Sequence, residues 1–284
     1  MDESSLRRYV RWLADRRVTG LAVNVDTGEG PHLSADERLR VLAIVAEEVG
    51  DRTVIVAGLV GSYTELAARS AVDARDAGAR ALLVFPLSVY QGEPLDPEVP
   101  ARYHRAIFES SGLPMIAFQL QPALGGVNFS IEVLERLMTV DGVVAIKEAS
   151  FDAKRFVETV KAVRGVAPDA VVLNGNDNFL LEAYLLGAEG ALLGFGTLAA
   201  AEQVEMLEAV RARDLDRASA IAARLQPFCD AIFAPPVRDY RARTKHALAT
   251  LGVIDHATVR PPLLPLSPED TTAVERALKE ASIA

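Results

Sequence analysis

Seven short apolar runs separated by amphipathic stretches predict an α/β fold, a TIM-type (β/α)8 barrel with additional C-terminal helices. Two further observations support this. The runs are continuously apolar rather than alternating, as strands covered on both faces of a parallel sheet must be. The length of 284 residues suits a single barrel of roughly 250 residues with an extension.

Taken in order, the chain opens on an amphipathic helix pattern from Leu6 to Asp15. The first run is Gly20 to Val25. Ser34 then precedes a helical pattern from Ala35 to Val49, with Glu37 three residues on, the signature of a capping box. The second run, Thr53 to Ala57, leads into a helix from Tyr63 to Ala77 that Gly78 is placed to cap. Further runs follow at Ala81–Phe85, Met115–Phe118, Val143–Ile146, Ala170–Leu173 and Ala191–Leu193. From about residue 199 the pattern is helical throughout: Ala199–Ala212, Asp214–Leu225, Val237–Leu251 and Pro268–Ala281. The organisation expected is a barrel over residues 1–200 and a helical extension over 201–284, packed on it as one structural unit. Seven runs are one fewer than a closed barrel needs.

Composition narrows the function. A net charge of -9 argues against nucleic acid or an anionic membrane as the main partner. No apolar run approaches the roughly 20 residues of a membrane helix. The single cysteine, Cys229, excludes an intrachain disulfide framework and fits a reducing compartment. A cytoplasmic protein acting on a small molecule is expected. His32, His104, His246 and His256 show no metal spacing, and Gly194-Phe195-Gly196 lacks the third glycine of a dinucleotide loop. No metal and no cofactor are expected.

The residue that stands out is Lys147. Of the five lysines, Lys154, Lys161, Lys245 and Lys279 lie in mixed or amphipathic context and read as solvated. Lys147 directly follows the apolar run Val143–Ile146. A lysine ending a barrel strand points into the mouth, where such folds carry out their chemistry. Desolvation there lowers an amine's pKa and frees it as a nucleophile. A structural ion pair with Glu148 is the other reading.

The segment Gly-Val-Val-Ala-Ile-Lys-Glu-Ala-Ser at 142–150 resembles the Schiff-base strand of the dihydrodipicolinate synthase / N-acetylneuraminate lyase family. The resemblance runs along nearly the whole chain. Thr27-Gly28-Glu29, with Leu33-Ser34 and Glu37-Arg38, is similar to the family's substrate-carboxylate loop and the helix after it. The stretch from Ala57-Gly58 to Thr64-Glu65 resembles the next strand and loop. Asn174-Gly175-Asn176-Asp177 resembles a Ser-Gly-Asp-Asp segment, and Gly187-Ala188-Glu189-Gly190 the entry to the last strand. The resemblance implies that Lys147 forms a Schiff base with a 2-oxo acid such as pyruvate. It also implies that Thr27, Gly28, Gly175, Asn176 and Leu192 lie at the substrate. Thr27 and the amides of Thr27 and Gly28 could hold the substrate carboxylate. Asn176 and Asp177 could meet substrate hydroxyls, or could simply cap a helix. Family members begin with a barrel strand upstream of the point where Met1 aligns, so the first strand is expected to be missing. A misplaced start site, or a barrel closed by other means, would account for it.

Several family positions are changed. The Tyr-Asn-x-Pro-x-Arg-Thr-Gly motif reads Phe118-Gln119-Leu120-Gln121-Pro122-Ala123-Leu124-Gly125. Phe118 stands where the family has its proton-relaying tyrosine and has no hydroxyl to transfer a proton. Ala123 replaces the arginine that meets a distal carboxylate in the synthase branch. The Thr-Thr pair is Asp26-Thr27, and the Pro-Tyr-Tyr stretch with its interfacial tyrosine is Pro86-Leu87-Ser88. These changes argue against a standard dihydrodipicolinate synthase. Asp26 is the candidate replacement proton carrier, with a turn or capping role as the alternative. Tyr90 could reach the mouth, although a buried packing tyrosine is commoner. Arg238, Arg241, Arg243 and Lys245 read as a solvated or interfacial basic face, or less readily as a regulatory anion site.

Two functional readings result. The first is a lyase, aldolase or hydro-lyase using Lys147, with Asp26 and Phe118 at the reacting centre and a pocket suited to an apolar substrate tail. The second is a catalytically impaired or repurposed barrel that binds a small carboxylic acid. The resemblance implies a homo-oligomer, a dimer or tetramer, in which the lost tyrosine removes one interfacial contact.

Overall fold

The structure, a computed structural model, describes residues 1–59 and 61–283. Val60, in the loop stretch 57–65 compared above, and Ala284, the last residue of the 201–284 extension, lie outside the described residues.

Each apolar run becomes a strand, and each strand is followed by a helix. The order is α1 (Glu3–Ala14), β1 (Gly20–Val23), α2 (Ala35–Val49), β2 (Val54–Leu59), α3 (Thr64–Asp76), β3 (Ala81–Val84), α4 (Glu98–Ser111), β4 (Met115–Leu120) and α5 (Ile131–Met138). It continues with β5 (Val143–Ala149), α6 (Ala153–Val166), β6 (Val171–Asn174), α7 (Leu180–Leu185), β7 (Gly190–Ala191), α8 (Ala200–Arg211), α9 (Leu215–Ile232), α10 (Tyr240–Thr250) and α11 (Pro268–Ala281). The strands form one parallel sheet in the order β1-β2-β3-β4-β5-β6-β7. This is the predicted α/β barrel architecture with C-terminal helices, curled but open. Among the described residues β1 and β7 do not pair with each other.

Exposed sheet edges invite unwanted pairing unless they are covered. Here α1 spans the open side. It packs on α2, which follows β1, and the Tyr9 hydroxyl donates to the carbonyl of Thr197, just beyond β7, at 3.2 Å. Arg8 anchors the same helix to the C-terminal region by donating to the Val253 carbonyl at 2.8 Å and pairing with Asp255 at 2.7 Å.

Alternation along the strands sorts side chains between two apolar layers. Val56, Leu83, Ile116, Phe118, Leu120, Ala145 and Ala149 form a cluster inside the curl. Leu82, Met115, Ala117, Ile146 and Val172 belong to the larger core between sheet and helices. β4 is buried at all six positions, which is why its sequence is apolar without alternation. On β5, Ala145, Lys147 and Ala149 share the inner face, and Ile146 and Glu148 the outer one.

Local signals hold at most boundaries. The capping box on α2 is complete: Glu37 N donates to Ser34 Oγ at 3.2 Å and Ser34 N to Glu37 Oε2 at 2.9 Å. Several boundaries differ from expectation: α1 begins at Glu3, β1 ends at Val23, and β2, β4 and β5 run on to Leu59, Leu120 and Ala149. α9 continues through Pro227 to Ile232 rather than ending at Leu225. A 3-10 turn fills 237–239, so α10 begins only at Tyr240. β7 stops at Ala191, although Leu192 N still bonds the Asn174 carbonyl at 2.8 Å. Among the described residues no helix is long and apolar enough to cross a membrane.

Candidate active site

Lys147 reaches inward from β5 across a neighbour that has no side chain. A Cβ on Gly175 would lie 2.7 Å from Lys147 Cε, 2.8 Å from Ala149 Cβ and 2.9 Å from the Glu148 carbonyl oxygen. Only glycine leaves room there, so Gly175 makes space for the lysine. Lys147 Nζ sits 4.3 Å from the centroid of the Phe118 ring, and Phe118 meets Phe85 edge-on at 5.0 Å. The half-buried amine is thus sheathed in aromatic carbon. Burial lowers its pKa from 10.5 to about 8, while the negative charges of Asp177 and Asp26 pull it back up.

Glu148 is not the lysine's partner. It faces the opposite side of β5, fully buried, and accepts from Gln119 Nε2 at 3.0 Å, Ser150 N at 3.1 Å and Asn176 Nδ2 at 2.8 Å. Burial raises its carboxyl pKa, and these hydrogen bonds oppose the rise. Gln119 Oε1 also accepts from Phe129 N at 2.9 Å. The network ties the ends of β4, β5 and β6 together behind the lysine.

Asn176 belongs to that network. Its amide nitrogen also donates to the Glu148 carbonyl at 2.9 Å, and its oxygen accepts from Phe151 N at 2.6 Å. With both ends of the amide committed and the side chain fully buried, it holds the loop after β5. Its neighbour Asp177 is the residue turned toward the lysine. Burial raises the Asp177 carboxyl from 3.8 to about 6, opposed by the Phe195 amide, by Lys147 and by the Gly194 amide. The Phe195 N–H donates to Asp177 Oδ1 at 2.9 Å. Asp177 caps no helix, since α7 starts only after Phe179.

Asp26 lies in the loop after β1. Its Oδ2 accepts the Tyr240 hydroxyl at 2.6 Å, its Oδ1 pairs with Arg241, and its carbonyl accepts Arg241 Nε at 2.9 Å. Thr27 follows, with its side chain beside the Tyr240 phenol. A Cβ on Gly194 would lie 2.9 Å from Phe233 Cζ, 3.2 Å from Thr27 Oγ1 and 3.4 Å from Asp177 Oδ2, so these three residues converge at that glycine. The amides of Thr27 and Gly28 donate to no acceptor among the described residues, whereas the next two, Glu29 N and Gly30 N, close the loop onto Asp26 and Val25. Leu192 joins the inner apolar cluster beside Leu173.

A cavity of about 260 Å³ opens at the strand ends, with Asp26, Ser62 and Ser88 among its polar lining and Phe85, Leu87, Leu120 and Leu124 among its apolar lining. No Lys, Arg or His lines it among the described residues. Ala123 is exposed on the turn after β4 and supplies no cation. Tyr90 takes the packing role: it is buried against Tyr103 and Phe129, and its hydroxyl has no partner among the described residues.

The basic cluster of the tail is not the solvated face expected from its spacing. Arg243 is 1% exposed and bonds the Ala234 carbonyl at 2.6 Å and Asp270 at 3.1 Å. Lys245 pairs with the buried Glu29, and Arg241 clamps Asp26. Only Arg238 remains largely exposed. Tyr240 and Arg241 are the site residues that sequence reasoning missed. They meet Asp26 from 214 and 215 residues away, a separation with no local signal.

The sequence profile of the dihydrodipicolinate synthetase family matches residues 1–281. The 4-hydroxy-tetrahydrodipicolinate synthase of Thermomicrobium roseum is 32% identical over 278 residues, covering 98% of this chain and 88% of the relative. Dihydrodipicolinate synthase from Thermotoga maritima superposes with a TM-score of 0.90 at 26% identity, covering 100% of this chain and 94% of the other. The chloride-inhibited enzyme from Acinetobacter baumannii, solved with pyruvate, gives 0.86 at 26% identity with the same coverage. A family match over nearly the whole chain, on an open α/β barrel with a lysine in its mouth, shows that this protein belongs to the dihydrodipicolinate synthetase family of lyases and aldolases.

Proposed function

We propose that the protein is a class I lyase or aldolase that forms a Schiff base between Lys147 and a 2-oxo acid, pyruvate or a pyruvate-derived adduct. The observation that carries this reading is the Lys147 amine itself: inward-facing, sheathed by Phe118, and lowered by burial to about 8. A neutral amine attacks the carbonyl carbon, water leaves, and the resulting iminium draws electrons from the adjacent carbon. The free amides of Thr27 and Gly28, with Thr27 Oγ1, suit the substrate carboxylate. Gly175 makes room for the lysine, Leu192 packs with the inner cluster on the same side of the sheet, and Asp26 moves the proton.

The reaction is not that of a standard dihydrodipicolinate synthase. Phe118 carries no hydroxyl, and among the described residues no cation lines the cavity where a second carboxylate would need one. Phe85, Leu87, Leu120 and Leu124 favour a substrate whose far end is apolar. Reduction with borohydride in the presence of a panel of 2-oxo acids tests the reading, and an unmodified Lys147 across the panel rejects it.

A second reading, a barrel that binds a small acid without aldolase chemistry, is favoured by one observation: the ring of Phe118 lies against the amine where a hydroxyl would serve. The variant F118Y discriminates. A large gain of retro-aldol activity points to decayed chemistry, and a loss points to a pocket rebuilt around the phenyl ring. In either case the protein works as a homo-oligomer, a dimer or tetramer, with Leu87-Ser88 in place of the family's interfacial tyrosine. Sedimentation of the purified protein checks this.

A further inference from the structure

The hydroxyl missing at Phe118 has a counterpart outside the barrel. Among the described residues lining the cavity, Asp26 is the only ionisable one. Both of its oxygens are held from behind by α10: Oδ2 by the Tyr240 hydroxyl at 2.6 Å and Oδ1 by Arg241. Tyr240 is 3% exposed and stacks on Phe233 at 5.1 Å and 22°. The Arg241 guanidinium lies 4.8 Å over its ring. α10 is in turn fixed by Arg243 to Ala234 and Asp270 and by Lys245 to Glu29. Thr27 borders the same phenol, so oxygen atoms of Thr27, Tyr240 and Asp26 lie side by side, leading to the cavity. Burial and the Asp26 charge hold the phenol pKa well above its ordinary value, so the hydroxyl stays protonated and donates.

We propose that Tyr240 is the positioning residue of a rebuilt proton relay, acting through Asp26 on the imine at Lys147. This rests on the Schiff-base reading above. In the step it serves, an Asp26 oxygen accepts a proton from the carbon next to the iminium. The C–H electron pair becomes the new carbon–carbon double bond, and the C=N pair moves to nitrogen, giving a neutral enamine. The reverse step returns the proton. The Tyr240 O–H bond and the Arg241 pair keep the carboxylate aimed throughout and compensate its charge.

The test uses the full chain with pyruvate and two readouts: borohydride trapping at Lys147, and exchange of the pyruvate methyl protons with deuterated water, followed by NMR. In Y240F, trapping stays within about twofold of the parent while exchange falls about tenfold or more. Exchange in the double variant Y240F/D26N is no lower than in D26N. A merely structural tyrosine would move both readouts together or neither, and either result overturns the proposal. Absence of trapping in the parent protein overturns the Schiff-base reading itself, and the relay with it. If Y240F does not fold, a fluorinated tyrosine at position 240 acidifies the phenol without changing its size. The relay then shifts the pH dependence of exchange, and an unmoved profile overturns it.

Discussion

If burial sets the reactivity of Lys147, the fraction of free amine at neutral pH follows directly. With its pKa lowered from 10.5 to about 8, about a quarter of the amine is neutral near pH 7.5, against about one part in a thousand for an ordinary lysine, an advantage of roughly 200-fold. Trace labelling with an amine-directed acylating reagent, followed by peptide mass analysis, measures this. The exposed Lys154, seven residues further on, serves as the internal reference. The perturbation is a pH series at fixed reagent. Labelling of Lys147 should pass its midpoint around pH 8 and level off about a unit above it, while an amine with the reference lysine pKa of about 10.4 is still rising past pH 10. The variant D177N removes a negative charge that favours the ammonium form, so its midpoint should lie below that of the parent. A Lys147 midpoint near 10.5, or a D177N midpoint above the parent's, would refute the reasoning.

Other perturbations test the scaffold. G175A places a methyl group 2.8 Å from Ala149 Cβ and 2.9 Å from a backbone oxygen, so it should cost about 1–3 kcal/mol in urea unfolding and abolish trapping at Lys147. F118A opens a void in the inner cluster and should cost about 3–5 kcal/mol by the same assay. His104 is buried, with Nδ1 2.8 Å from the Pro100 carbonyl, and folding lowers its pKa from 6.5 to about 4. The stability it contributes is therefore complete above about pH 6.5 and lost as pH falls toward 4, about 3 kcal/mol in all. Asp177 works in the opposite sense, because folding raises its pKa, so the informative quantity is the difference between parent and H104N. H104N should show the shallower loss of urea midpoint between neutral pH and pH 4, and identical slopes would exclude the assignment.

The parts of the fold legible in the sequence were those with local causes. Continuous apolar runs announced the seven strands because parallel strands are buried on both faces. Counting them announced the open barrel. Lys147 was legible because it ends such a run, and period-two geometry turns it inward while turning Glu148 outward. The motif at 174–177 does not say which of two adjacent polar side chains turns toward the lysine: the Asp177 charge acts on Lys147, and Asn176 is a strut for Glu148. The basic residues of α10 look solvated by spacing alone. Their acceptors, Asp26, Asp270 and Glu29, lie far away in sequence and on other elements. Tyr240 was illegible for the same reason. Its significance exists only once the tail folds back onto the loop after β1.

One measurement tests the role of Lys147 most directly: the site at which borohydride fixes pyruvate or another 2-oxo acid to the protein. Peptide mapping should find the reduced adduct on Lys147 and lose it in K147R, a variant that keeps the charge but cannot form the imine. An adduct on Lys154, Lys161, Lys245 or Lys279, or one that persists in K147R, would contradict the account.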